Sequence, residues 1–173
     1  MIPAAEPGAS LDWAAPYDAL RAGQTFVSRG RTITEADVVG FAALTGDWHP
    51  QHSDAVWAGQ SAFGERIAHG MLVISFAVGL VPLDPDRVVA LRRLGDVVFK
   101  RPVKLGDTVR VSGKVAELSP VGAEAGLVTF SWSIHNQHGQ LVCRARVEVL
   151  WSRDADPDAS RPAAAADLAS VTS

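Results

Sequence analysis

An acidic side chain and an imidazole lie five residues apart in the segment TGDWHPQHS, residues 45–53. On a continuous helix, Asp47 and His52 would point about 140° apart, because each residue turns the helix by about 100°. Pro50 argues against such a helix, since proline lacks a backbone donor and disfavours the α region for the residue before it. The segment is therefore predicted to turn, and a turn can direct both side chains at one small volume.

A carboxylate and an imidazole that face one volume can hold a water molecule and move protons. They can deliver hydroxide to one carbon of a polarised C=C bond and a proton to the next, or catalyse the reverse elimination. Positioned proton transfer of this kind typically contributes about 10²- to 10⁴-fold to a rate. By spacing alone, the commoner explanation is structural, with Asp47 capping a turn and His52 an ordinary histidine.

A second candidate feature is His69-Gly70-Met71, directly before an apolar stretch. Gly70 has no side chain to block a ligand, and its N–H would be a first-turn donor without an intrahelical acceptor. A carbonyl oxygen that gains negative charge could bind there, aided by the positive end of the helix dipole. A helix start chosen for close packing explains this motif equally well. Together, the two features provide what hydration of an enoyl thioester requires: a stabiliser at the carbonyl and an acid/base pair near the adjacent carbons.

The elements around these residues predict an α+β domain. Residues 23–33 (GQTFVSRGRTI) alternate as a first strand, and Thr34 with Asp37 forms a capping box for a helix from about Glu35 to Leu44. One stripe of that helix is predicted to be buried: Val38, Phe41, Ala42 and Thr45.

Two further patterns follow the long polar and aromatic segment that carries Asp47 and His52. Residues 70–81 (GMLVISFAVGLV) are apolar on all sides, which a helix tolerates only when protein surrounds it. After Val88, apolar residues recur with a period of two, which predicts antiparallel strands with turns at 105–107 and 136–139. A buried helix wrapped by an antiparallel sheet is similar to the hot-dog fold.

Composition limits the alternatives. The 173 residues, 47% of them apolar, suffice for one domain, which we place at 21–152 between an N-terminal arm (1–20) and a mobile tail (153–173). A net charge of −3 with scattered arginines argues against a nucleic-acid partner. Cys143 is the only cysteine, which rules out an intrachain disulfide and a cysteine-based zinc site. The apolar stretch falls short of the roughly 18 to 20 residues that a membrane span requires, and the N-terminus lacks an export signal, so we expect a cytoplasmic protein.

The segment FAALTGDWHPQHSDAVWAGQSAFGERIAHGMLVIS resembles the signature of the MaoC-like dehydratases and R-specific enoyl-CoA hydratases. That signature is an Asp, then x-Asn-Pro-x-His, then a downstream His-Gly-Met, and the likeness spans roughly residues 23–151. By position, Asp47 and His52 match the catalytic pair, and Gly70 matches the glycine whose amide holds the thioester carbonyl. The usual Asn is replaced by His49, an imidazole that can titrate near neutral pH.

The resemblance implies a homodimeric hot-dog enzyme that adds water to a trans-2-enoyl thioester to give the R-3-hydroxyacyl product, or catalyses the reverse dehydration. The substrate handle would be coenzyme A or the phosphopantetheine of an acyl carrier protein, with no metal or redox cofactor. Two alternatives remain open: a thioesterase on the same fold, and a non-catalytic subunit that binds acyl thioesters.

Other residues have less specific explanations. His49, Trp57, Phe63 and Met71 are candidate substrate contacts, although buried aromatics are more often plain core. The pairs His49/His52 and His135/His138 have metal-ligand spacing, but neither has an evident third ligand nearby in sequence. Five basic residues could bind the phosphates of the substrate handle or could form a solvated strand face, and we favour the second explanation for most of them. They are Arg92, Arg93, Lys100, Arg101 and Lys104. Cys143 is predicted to be a small buried hydrophobe.

Overall fold

The computed structural model describes residues 9–153. The first eight residues of the predicted arm and residues 154–173 of the predicted tail lie outside the described residues. Within them, no helix is long and apolar enough to cross a membrane. In chain order the elements are a 3-10 turn (Tyr17–Ala19), β1 (Thr25–Val27), β2 (Arg31–Thr32), α1 (Glu35–Thr45), α2 (Pro50–Ser53), α3 (Ala55–Gly59), α4 (Gly70–Leu80), β3 (Val88–Phe99), β4 (Thr108–Val121), β5 (Ala125–His135) and β6 (Leu141–Ser152).

The strands form one antiparallel sheet in the order β1-β4-β5-β6-β3, with β2 also pairing with β4. The four long strands and both turns predicted from the period-two pattern are confirmed. Within residues 9–153, β3 pairs only with β6 and forms one edge of the sheet, and its pairing is interrupted by three register shifts. At Asp96, within this irregular strand, the backbone has a φ of 49°. The fold is the predicted α+β hot-dog architecture.

The predicted capping box at α1 is confirmed. The Thr34 side chain accepts a hydrogen bond from the Asp37 N–H, and the Asp37 carboxylate accepts one from the Thr34 N–H. The helix buries Val38 and Ala42, whereas Phe41 is half-buried and Thr45 is exposed. The prediction that Thr45 belongs to the buried stripe is therefore wrong, and its hydroxyl donates to the Phe41 carbonyl of its own helix instead.

α4 is the central helix: it packs against β4 and shares one hydrophobic core with the buried residues of β4, β5 and β6. It is less enclosed than its composition predicts. Its buried residues are Leu72, Val73, Ile74, Ala77 and Leu80. One stripe, made of Met71, Ser75 and Gly79 at four-residue spacing, is exposed. The helix therefore has one open face in the single chain.

The single first strand predicted over residues 23–33 is wrong, because the structure has two short strands there, β1 and β2. The break falls at Gly30, which lies so close to β4 that a Cβ there would be 2.9 Å from a side-chain carbon of Thr108. Ser28, just before the break, bonds from its backbone N–H to the Val111 carbonyl and accepts the Val111 N–H at its hydroxyl. The chain thus kinks against β4 instead of continuing as one strand.

The described part of the N-terminal arm packs into the core. Leu11, Tyr17 and Leu20 are buried, and Trp13 lies against the rings of Phe130 and Trp151. The Trp151 indole N–H donates to the Ala15 carbonyl at 2.9 Å. These residues therefore contribute apolar contacts to the same core as the sheet.

Candidate active site

The turn that carries Asp47 begins where α1 ends. Gly46 takes the left-handed conformation, with a φ of 76°, and its N–H closes the helix on the Ala42 carbonyl. Glycine suits this position because it has no Cβ to oppose a positive φ. The Asp47 carboxylate then accepts the His49 N–H at 3.3 Å, which tightens the turn. The predicted change of direction between Asp47 and His52 is confirmed.

His49 starts the short helix α2. Its Nδ1 accepts a hydrogen bond from the Gln51 N–H at 3.2 Å, and Pro50 occupies the first helical position. Proline is well suited there because its missing N–H would have no partner inside the helix. His49 therefore works as an N-cap, and its ring packs edge-on against Trp57 with centroids 5.5 Å apart. α2 in turn brings His52 into the interior.

His52 is 8% exposed, and its Nδ1 lies 2.7 Å from the Ile67 carbonyl oxygen. A carbonyl only accepts hydrogen bonds, so Nδ1 must carry the proton, and Nε2 of the neutral ring then has a free lone pair. Burial lowers the pKa of His52 below its usual value, with the bond to Ile67 acting in the opposite direction. The residue therefore favours the neutral form, in which Nε2 can accept a proton.

His69 contacts both Asp47 and His52. Its Nε2 lies 3.0 Å from the Asp47 carbonyl oxygen, and its ring stacks on that of His52 with centroids 3.8 Å apart. One side-chain ligand atom from each of Asp47, His52 and His69 lies within 4.8 Å of the others. The cluster contains His52 but not His49, so the fold does not complete the His49/His52 pair that has metal-ligand spacing in the sequence. The absence of a bound metal stays a prediction.

Gly70 begins α4, so its N–H is at the positive end of the helix dipole. The preceding residue, His69, makes no side-chain capping bond to this helix. A Cβ at residue 70 would lie 2.7 Å from the Phe99 ring, so only glycine allows β3 to approach the helix start this closely. The ring of Phe99 forms the wall beside this amide.

A cavity of about 540 Å³ opens over these residues. Asp47, His52 and Gly70 all line it, as do two predicted substrate contacts, Phe63 and Met71. The other two predicted contacts, His49 and Trp57, do not belong to its lining. His69 lines the cavity as well. The remaining walls come from α1, α4, the end of β3, the β3–β4 connection and β6, and include Phe41, Val73, Phe99, Val103 and Val142.

The basic residues fall into two groups. Arg92 and Arg93 lie near the Glu148 carboxylate, at 2.7 and 3.6 Å, and Lys104 pairs with Glu65. Lys100 and Arg101 instead line the cavity and have no ion-pair partner within residues 9–153. Cys143 is fully buried, as predicted, and burial raises the pKa of its thiol to about 11.

Sequence reasoning did not assign a role to His69. The spacing of 22 residues from Asp47 carries no signal, because the contact depends on how the 60–69 segment returns to the end of α1. The one available cue was the position of His69 directly before Gly70 in the His-Gly-Met motif.

Comparison with known proteins gives a consistent pattern. Residues 19–132 match the family described as MaoC like domain. The chain is 36% identical to a 3-hydroxybutyryl-CoA dehydratase from Methylorubrum extorquens over 84% of this chain and 90% of that protein. It is 41% identical to Protein MaoC from Klebsiella aerogenes over 55% of this chain, but that match spans only 29% of the longer protein.

A solved structure of an unliganded R-hydratase from Pseudomonas aeruginosa is also similar. It superimposes with a TM-score of 0.67 and 35% identity, covering 80% of this chain and 86% of that one. A monoamine oxidase regulatory protein from Archaeoglobus superimposes with a TM-score of 0.77 and 36% identity, over 80% and 95% of the two chains.

Proposed function

Because the chain belongs to the family of MaoC-like domains, we propose that it is a hydro-lyase acting on acyl thioesters. The reaction is addition of water to a trans-2-enoyl thioester to give an R-3-hydroxyacyl thioester, or the reverse dehydration. Relatives named as a 3-hydroxybutyryl-CoA dehydratase and as R-specific enoyl-CoA hydratases support this class of reaction. The configuration of the product is taken from those relatives.

One observation carries the proposal: Asp47, His52 and Gly70 line the same cavity. In hydration, the Asp47 carboxylate holds the water and Nε2 of His52 takes its proton. The water oxygen bonds to Cβ, and the electron pair of the C=C bond moves toward the thioester oxygen, where the Gly70 N–H stabilises the enolate. His52 then returns the proton to Cα. A single oxyanion donor typically contributes about 10²- to 10³-fold.

The geometry of His52 supports its role as the first proton acceptor. Its Nδ1–H bond to Ile67 fixes the ring and directs the lone pair away from that carbonyl. The lowered pKa favours the unprotonated state. The sequence alone left the choice of base between Asp47 and His52 open.

The substrate handle is coenzyme A or the phosphopantetheine of an acyl carrier protein, and the reaction as proposed uses no metal or redox cofactor. Lys100 and Arg101 at the cavity are suited to attract an anionic handle. Phe63 and Met71 are proposed to contact the acyl group or its linker. His49 and Trp57 are better explained by their contact with each other, so their role as substrate contacts depends on movement of the α2–α3 region.

We also propose that the chain works as a homodimer. β3 is an edge strand with three partly exposed apolar residues, Val89, Leu91 and Leu94, and open edges of this kind favour pairing. A symmetric partner at this edge would extend the sheet. Light scattering coupled to size-exclusion chromatography measures the mass directly, and a mass of one chain at micromolar concentration would refute the dimer.

The direct test is to incubate the full chain with crotonyl-CoA and with a longer trans-2-enoyl-CoA. Enoyl absorbance and free thiol are followed in parallel, and the product is resolved on a chiral column. We expect loss of enoyl absorbance without thiol release, and the R product. Thiol release would identify a thioesterase instead, and no change in either signal with CoA and carrier-protein substrates would favour a non-catalytic binding subunit.

Variants then test the acid/base pair. Asp47→Asn and His52→Ala are each expected to lower kcat by about 10²- to 10⁴-fold, because each removes a positioned proton carrier or its partner. His138→Ala is the matched control, since His138 is exposed and lies in the β5–β6 turn. Circular dichroism verifies that each variant is folded. A variant that turns over enoyl-CoA at the parent rate would exclude that residue from catalysis.

A further inference from the structure

His69 is almost fully enclosed, at 2% exposure, yet its side-chain nitrogens make no hydrogen bond to its own helix. It stands at the N-cap position of α4, where a side chain usually accepts an N–H from the first turn. Its side chain makes no such bond. Instead, the ring extends toward the turn at the end of α1 and lies between Phe41 and His52.

The bond from His69 to Asp47 fixes which ring nitrogen carries hydrogen. Its partner is the Asp47 carbonyl, 3.0 Å from Nε2, and a carbonyl only accepts, so Nε2–H is the donor. In the neutral ring, Nδ1 then has the lone pair. Nδ1 is buried and has no hydrogen-bond partner within residues 9–153. Among the described residues, the bond to Asp47 is therefore the one polar contact that accounts for an imidazole at this position.

The contacts of this one residue involve all three groups of the proposed mechanism. The Nε2–H holds the backbone of Asp47, the ring face supports the ring of His52, and the next residue in the chain presents the Gly70 N–H. The segment is itself held in place, because the N–H groups of Ile67 and Ala68 donate to the carbonyls of Gln51 and Val103. A displacement of His69 would therefore disturb the distances among all three groups.

We propose that His69 is a positioning residue for the hydratase site. It holds the Asp47 turn through its Nε2–H and backs the His52 ring, so that the carboxylate, the free Nε2 of His52 and the Gly70 amide face one water and one thioester. This inference rests on the proposed function. A purely structural histidine, which fills space beside Phe41, is the alternative.

Two substitutions separate the functions of the ring. His69→Phe keeps an aromatic ring against His52 but removes the donor to Asp47. His69→Gln keeps an N–H donor near the position of Nε2 but removes the stack. We expect His69→Phe to lower kcat on crotonyl-CoA by about 10- to 100-fold with KM changed by less than about threefold, since misplacement of catalytic groups by about 1 Å can cost about 10²-fold. His69→Gln should retain more of kcat than His69→Phe.

The pH profile, read together with kcat, distinguishes positioning from packing. Three titratable side chains face His52, and two of them, His69 and His49, lower its pKa whereas Asp47 raises it. Removing the His69 imidazole should raise the pKa of His52, so the acid limb of kcat/KM in His69→Gln should move to higher pH. A shifted limb together with a kcat within about twofold of the parent would instead indicate a space-filling role.

A measurement that does not depend on activity keeps this inference separate from the proposed reaction. Long-range ¹H–¹⁵N spectra of the full chain report the tautomer of each histidine and the titration of His52. We expect the Nε2–H tautomer for His69, the Nδ1–H tautomer for His52, and a higher His52 pKa in His69→Gln. If the parent lacks hydratase activity but these spectra are as expected, only the proposed reaction fails.

The inference is overturned if His69 shows the Nδ1–H tautomer, or if folded His69→Phe keeps kcat within about twofold of the parent. If His69→Phe does not fold, His69→Gln decides through its kcat and its acid limb, and an unchanged acid limb would count against the proposal.

Discussion

Replacing Gly70 with alanine tests the claim that the substrate carbonyl binds at the start of α4. An ideal Cβ at residue 70 would lie 2.7 to 2.9 Å from three carbons of the Phe99 ring, whereas ordinary van der Waals contact begins at about 3.4 Å. The ring or the helix start must therefore withdraw by about 0.7 Å. Phe99 is 50% exposed, so its ring can move, but only by displacing the wall beside the Gly70 amide.

Overpacking of this kind costs about 1 to 3 kcal/mol. If about 1.4 to 2.7 kcal/mol of this cost is expressed as weaker binding of the substrate carbonyl in the transition state, kcat/KM falls by about 10- to 100-fold. The expected loss is in kcat/KM on crotonyl-CoA, with a smaller effect on thermal unfolding, because the half-exposed ring can relieve much of the strain in the free protein.

A double-mutant cycle identifies the cause. Phe99→Leu removes the ring edge that meets the new methyl group, so the Gly70→Ala/Phe99→Leu variant should recover most of the loss, with a coupling of at least about 1 kcal/mol. Gly79→Ala is the matched control in the same helix, since a Cβ there meets no atom within 4 Å. Parent-level activity of Gly70→Ala, or a double variant no better than the single one, would refute the reasoning.

Two further outcomes are expected. The free energy of unfolding should fall as the pH drops below about 6.5, because burial lowers the folded-state pKa of His52 and of His135 and the unfolded chain then binds more protons. Urea unfolding at pH 7.5 and at pH 5.5 measures this free energy, and a protein more stable at pH 5.5 would contradict the prediction. His49→Asn should keep kcat/KM on crotonyl-CoA within about threefold of the parent value, because asparagine is also a good N-cap for α2. Loss of most of the activity would show that His49 takes part in the chemistry.

Local signals in the sequence account for much of the fold. The capping box at Thr34, the turn forced by Pro50 and the period-two strands depend on residues within a few positions of one another, and all appear as predicted. The break between β1 and β2 depends on how close Gly30 lies to β4, a contact across 78 residues. The open stripe of α4 at Met71, Ser75 and Gly79 likewise depends on which side the sheet covers, which an all-apolar sequence does not encode.

The residues of the candidate site also divide into those that local sequence signals identify and those that depend on long-range contacts. Asp47 and His52 were found from a motif with a short spacing, and Gly70 from its place before an apolar helix. His69 could not be assigned, because its two decisive contacts reach Asp47 and His52 across 22 and 17 residues. Conversely, Trp57 is a candidate substrate contact from its place in the motif segment, with core packing the commoner explanation, and its ring lies against His49 instead of the cavity.

The two buried imidazoles of the site are oriented by the same device. Each gives one N–H to a backbone carbonyl, His52 to Ile67 and His69 to Asp47, and each therefore has its second nitrogen free of hydrogen in the neutral form. The difference lies in what that second nitrogen meets. Both rings line the cavity, but Nδ1 of His69 is buried without a hydrogen-bond partner within residues 9–153, whereas Nε2 of His52 is not buried in this way. This difference is the structural reason to assign proton transfer to His52 and positioning to His69.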